Sequence, residues 1–201
     1  MPESLRNWLL FIYRVPTEPS RKRTYVWRHL KQLGGLYLQQ GVCLLPRMEQ
    51  LETELSGLAR RIHEFGGEAT LLKTVSPSEE WEKEMVNRFN EGRNEEYAEV
   101  MEGAERLLDE LERDTRKEKF TFAELEENEY DLDRLRQWTH KVKKRDFFGA
   151  SLAQETQQAL SKCQQALDKF VHQIYLREGM QLEDEPAEAE GKAAAASQEQ
   201  V

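Results

Sequence analysis

The chain of 201 residues has only two cysteines and six prolines, and no uninterrupted apolar run long enough to span a bilayer. Cys43 and Cys163 have no CxxC or histidine-rich spacing around them, so a disulfide framework, a zinc site and a redox pair all lack their sequence signal. Both read as small buried hydrophobes. The first apolar stretch, in MPESLRNWLLFIYRVP, is short and broken by charge, which excludes a signal-peptide or membrane-span reading and leaves a cytoplasmic protein without membrane contact as the expectation. Glycine-rich phosphate loops of the GxGxxG or P-loop type are missing. So is any nucleophile with an adjacent base, any pair of pocketed carboxylates and any ligand-spaced set of His, Cys and acids. His29, His63, His140 and His172 are scattered over largely polar helix faces. A non-enzymatic protein with no cofactor and no metal is expected.

Charge is plentiful, at 33% of residues, and unevenly spread. The net charge of −9 argues against nucleic acid only as a sum. Residues 1–76 carry eleven Lys and Arg against seven Asp and Glu, whereas residues 179–201 carry one against six. The basic part is therefore the first domain.

Hydrophobic periodicity orders the chain. Trp8 to Val15 is apolar on both alternating sets, Leu10, Ile12 and Arg14 on one side and Leu9, Phe11, Tyr13 and Val15 on the other, as in a central strand. Thr17 or Ser20 is expected to cap a helix whose inner face is Val26, Trp27, Leu30 and Leu33, stopped by Gly34-Gly35. Leu36–Gln39 and Val42–Leu45 read as a hairpin turning at Gln40-Gly41. Met48, Leu51, Leu55, Leu58, Ile62 and Phe65 mark a second helix, Gly66-Gly67 ends it, and Glu68–Val75 supplies a fourth strand. The order βαββαβ is the ferredoxin-like unit.

After Ser76 only helices are expected: one started by Ser76 or Ser78 and running past Leu111, one opened by the Thr121/Glu124 capping box, and one opened by Ser151 with Gln154. The fold class expected is α+β, a ferredoxin-like domain (1–76) followed by an antiparallel three-helix domain (77–178) and a disordered acidic tail (179–201).

Two basic clusters stand out. Arg14, Arg21, Lys22 and Arg23 gather where the first strand enters the first helix, with Arg28 and Lys31 farther along the outer face; helix-start N–H groups favour an anion there. Arg134, Arg136, His140, Lys141, Lys143, Lys144 and Arg145 form the second, running into Asp146-Phe147-Phe148-Gly149. The first is the candidate anion or nucleic-acid site. The bland alternative for both is a solvated helix face.

The blocks WLLFIYRVPTEPSRKRTYVWRHLKQLGGLYLQQGVCLLP, FGGEATLL, RFNEGRNEEYAEV, KFTFAELEE and RDFFGA resemble, in this order, the N-terminal domain of the ChrB chromate-resistance family along nearly all of residues 5–178. The resemblance implies a chromate-responsive regulator, with DNA or chromate-like oxyanions as partners. Members continue into a further C-terminal domain while this chain ends in an acidic tail, so a complete sense-and-respond cycle is not expected within it. The first block also resembles the middle domain of PaaX-type repressors, which have a winged helix in front where Met1 to Asn7 stand here. It is similar too to small CRISPR-associated ferredoxin-fold endonucleases. Those place a metal-binding aspartate near the end of the first strand, where this chain has Arg14, and an arginine cannot replace a carboxylate toward Mg²⁺. A regulatory or accessory protein is the expectation, and the two apolar sides of the first strand leave room for a homodimer. A structural interaction module and a metal-dependent nuclease are the alternatives.

Overall fold

The computed structural model describes residues 6–179. The acidic tail expected over 179–201 therefore lies, from residue 180 on, outside the described residues. The elements are β1 (Asn7–Arg14), α1 (Ser20–Gln32), β2 (Leu36–Gln39), β3 (Val42–Pro46), α2 (Glu49–Glu64), β4 (Glu68–Val75), α3 (Glu79–Arg116), α4 (Phe122–Lys143) and α5 (Ala153–Glu178). The four strands form one antiparallel sheet in the order β2-β3-β1-β4, which is the ferredoxin-like arrangement. The fold is α+β, with a helical part following the sheet.

Strand alternation sorts β1 as the sequence pattern predicts. Leu9 and Phe11 are fully buried under α1 and α2, where Val26, Leu30, Leu55, Leu58 and Ile62 join them. Trp8 and Leu44 point to the opposite face and are covered by the start of α3 through Met85 and Phe89. Trp8 stacks on Phe89 at 5.9 Å, meets Trp81 edge-on at 5.9 Å, and donates its indole N–H to Ser76 Oγ at 2.8 Å. Farther along this face the cover ends: Ile12 and Leu72, one strand apart near the β4 edge, are both exposed.

Both sheet-packed helices stop on glycine for the same physical reason. Gly34 (φ 78°) and Gly66 (φ 79°) take the left-handed conformation that costs other residues, and the paired N–H groups of Gly34/Gly35 and Gly66/Gly67 close back on carbonyls of the last turn. The helix starts are less regular. Neither Thr17 nor Ser20 caps α1, whose cap residue is Pro19, without any side-chain hydrogen bond. Ser20 already lies inside the first turn. Ser78 and Thr121 cap α3 and α4 by accepting from Trp81 N and Glu124 N, whereas Ser151 does not cap α5. Asn94 on α3 takes that place, its Oδ1 accepting from Leu152 N at 3.0 Å while its amide donates to Ser151.

The 38 residues of α3 belong to both halves. Its first turns lie on the sheet, and from Val100 onward it packs with α4 and α5 around Leu107, Leu132, Leu135, Leu160, Leu167 and Phe170. At Gly103 the helices approach so closely that a Cβ would sit 2.6 Å from Leu135 Cδ2. Among the described residues no helix is long and apolar enough to cross a membrane.

Both cysteines are buried as the sequence reading expects. Burial pushes the Cys43 thiol up to about 12, and it raises that of Cys163 as well. Neither should react with a thiol reagent in the native protein, and both should react in denaturant; fast native labelling of either would contradict this packing. Gly35 backs directly onto Cys43, with a built Cβ 2.3 Å from Sγ. Gly35→Ala should therefore destabilise the fold by about 1–3 kcal/mol in a denaturant titration, and Cys43→Ala in the same chain should recover part of that loss.

Candidate nucleic-acid interface

Helix α1 offers a narrow inner side and a wide outer one. Val26 and Leu30 are fully buried against the sheet, with Leu33 partly so. Trp27, expected on that inner face, is instead 47% exposed. Two residues per two turns suffice to cover this part of the sheet, and Trp27 lies about 100° round the helix from Val26. Tyr25, at 45%, is exposed as well.

The outer side consequently divides into two stripes. Arg21, Tyr25, Arg28 and Gln32, stepping by four and three, line a hollow of about 550 Å³ that is open to solvent, with Thr24 and His29 beside them. Tyr25 is braced edge-on by Phe65 at 5.8 Å, and His29 Nε2 stands 3.7 Å from Glu54. The second stripe is Arg23, Trp27 and Lys31, four apart, with Lys31 Nζ 5.4 Å from the Trp27 ring centroid. Each stripe puts an exposed aromatic between two cations. Among the described residues none of Arg21, Arg23, Arg28 and Lys31 has a carboxylate within 4.0 Å.

The start of α1 is electrostatically unfavourable by itself. Its first turn holds Arg21, Lys22 and Arg23, no acid and no side-chain cap, at the end where the helix dipole is positive. An anion is what that turn lacks. Lys22, however, is already engaged: its Nζ donates to Phe65 O at 3.1 Å, the C-terminal carbonyl of α2, and lies over the Phe65 ring. Arg14 is set apart as well, since it continues the Ile12 side of β1, away from α1, and its cross-strand neighbour is Glu68. The strand-to-helix cluster thus separates into Arg21 and Arg28 on one exposed stripe of α1, Arg23 and Lys31 on the other, and Lys22 and Arg14 elsewhere.

The second basic cluster divides similarly. Arg134 pairs with Asp131 at 3.2 Å and Arg136 with Asp133 at 3.4 Å. Arg136, His140 and Lys143 line a groove against α5, and Lys141 and Lys144 are exposed. Arg145 is a clamp: Nε donates to Lys141 O, Nη1 to Lys31 O at 3.2 Å, and Nη2 to Glu96, which also holds Arg93 at 2.8 Å. Arg93 and Arg145 are 13% and 14% exposed, so this ion cluster is nearly dry. Desolvation pulls the Arg93 guanidinium down from its usual range, opposed by Glu96. Asp146 caps the turn through Gly149 N and Ala150 N and accepts from Tyr97, whose hydroxyl burial and that carboxylate push up to about 12. The clamp was not visible in the sequence, because Arg145 and Lys31 are 114 residues apart. No local pattern in the sequence points to it.

The family model described as "Protein ChrB, N-terminal" matches residues 23–181, most of the chain. The chain belongs to the ChrB N-terminal family. The match opens at Arg23, inside α1, and takes in every later element, so α1's outer residues from Arg23 on, the Glu96/Arg145 clamp and the α4–α5 groove all fall within it, while β1 does not. Membership in the ChrB family suggests a regulatory or accessory role linked to chromate resistance. Neither the comparison with curated proteins nor that with solved structures gives a match.

Removing the clamp should be costly. Arg145→Met leaves Glu96 and a helix-end carbonyl short of a nearly buried partner, and a loss of roughly 3 kcal/mol is expected in chemical denaturation. A change below about 0.5 kcal/mol would mean that the clamp is solvated decoration.

Proposed function

We propose that the protein is a non-enzymatic regulatory or accessory component of a chromate or oxyanion resistance system, and that it works in the cytoplasm by binding nucleic acid, DNA first, through the outer side of α1. The observation that carries this is the alternation of cation and exposed aromatic on each of the two outer stripes of α1, Arg21, Tyr25 and Arg28 on one and Arg23, Trp27 and Lys31 on the other. Phosphate neutralisation needs the cations and base stacking needs the rings, and a solvated charged face would need neither Tyr25 nor Trp27 in water. A free tetrahedral dianion is the poorer occupant. The hollow is open along its length, so a small ion there would keep much of its water and would find no use for the rings. The helix is about 20 Å long and of a diameter that a DNA major groove admits.

The test is anisotropy titration of labelled duplex from the protein's own operon at several salt concentrations. Wild type should bind with affinity that falls steeply as salt rises. Arg21→Ala with Arg28→Ala should lower the salt slope by about 2 and weaken binding at least tenfold. Trp27→Ala, which removes no charge, should cost about 1–3 kcal/mol if the ring stacks on a base. No binding by wild type at low salt, or variants that bind as well as wild type, would remove this function from α1.

A further inference from the structure

Of the cations between Arg134 and Arg145, three share a groove. Arg136, His140 and Lys143 form one wall of a cleft of about 490 Å³ between α4 and α5, and Gln157, Ser161 and Gln164 form the other. Each wall steps by four residues and by three, in opposite order because Arg136 faces Gln164, so the two helices present ladders of equal length, about 10 Å. Thr139 and Leu160, both buried, make the floor. Among the described residues no carboxylate lines the cleft, although the chain carries 38 Asp and Glu against 29 Lys and Arg and Asp133, outside the cleft, pairs with Arg136 at 3.4 Å. Arg136 reaches across to Gln164 Oε1, and Gln164 is held in turn by Asp168, which fixes that end of the cleft. At the other end, among the described residues, neither His140 nor Lys143 has a carboxylate within 4.0 Å. Arg134 and Lys141 lie on the outward side of the same helix and do not line the cleft.

We propose that the α4–α5 cleft is a second nucleic-acid contact, holding a stretch of phosphodiester backbone, and that it continues the surface of α1. The inference rests on the nucleic-acid reading of α1. A donor ladder of this length suits a chain of phosphates better than one ion, since a single tetrahedral anion spans only a fraction of it. Arg and Lys on one wall meet phosphate oxygens, while neutral Gln and Ser opposite donate to further phosphate or sugar oxygens without adding charge. Continuity with α1 comes from the clamp: two residues beyond Lys143, Arg145 is bonded to Lys31 O at the end of α1. The Lys143 end of the cleft and the Lys31 end of the first surface are therefore neighbours. Contacts of this type position a polynucleotide without reading its sequence.

The experiment compares a duplex of about 10 bp with one of about 30 bp, by anisotropy across a salt series, for full-length protein and variants. Arg136→Gln with Lys143→Gln should weaken binding of the longer duplex about tenfold, lower its salt slope by about 2 and leave the shorter one almost unchanged. Gln157→Glu, which puts a carboxylate on the facing wall and removes no cation, should weaken the longer duplex in the same direction. Arg134→Gln with Lys141→Gln makes the same change in net charge on the outward side and should stay within about twofold of wild type. Equal losses in the two double variants would overturn the proposal in favour of a general charge effect, as would a cleft variant that binds like wild type. In the latter case, loss of binding on Arg21→Ala with Arg28→Ala would leave the α1 reading intact and sink only the cleft. Calorimetric binding of sulfate or chromate that is lost in the cleft variant, with no effect on duplex, would overturn the polynucleotide assignment.

Discussion

One guanidinium ties the sheet half of this protein to its helical half. Arg145 donates to the Lys141 carbonyl in the last turn of α4, to the Lys31 carbonyl at the end of α1 and to the largely covered Glu96 of α3, so three elements share one side chain. Charge burial of this kind is tolerable only because Arg93 and Glu96 complete the set. The orientation of α1's outer surface relative to α4 follows from that junction. So does the neighbourhood of the two basic surfaces, which no sequence distance foretells.

The basic residues divide by what they neutralise. Lys22 and Arg145 each meet the carbonyl end of a helix, α2 and α1 respectively, where the dipole is negative and a cation belongs. Arg21 and Arg23 stand at the opposite kind of end, where a cation is repelled. Only the second pair asks for an external anion. A count of cations along the chain treats all four alike, and their position on a dipole separates them.

Much of the fold was legible because glycine and periodicity are local signals. Gly34 and Gly66 stop helices where the pattern says they should, the bounds of β2 and β4 match residue for residue, and the central place of β1 follows from its two apolar sides. What the sequence hid was set by tertiary contact. Asn94 caps a helix that begins nearly sixty residues later, and the serine expected to do so is its hydrogen-bond partner instead. Trp27 looked like core because tryptophan is large and apolar. How much of α1 the sheet needs to cover is a property of the sheet's width there, and it left that ring in solvent beside Lys31. The division of the second cluster into clamp, ion pairs and groove was illegible for the same reason: α5 decides which side of α4 is a wall.

The length of α3 has a mechanical consequence. At 38 residues it is a rod of about 57 Å, seated at one end on Trp8 and Leu44 and at the other between α4 and α5. Its two glycines, Gly92 and Gly103, do not interrupt it. A tilt of about 5° at the sheet would sweep the far end through about 5 Å, a travel comparable to one helical turn. A small change of angle near Trp8 would thus read out as a large displacement at the far end of the helix.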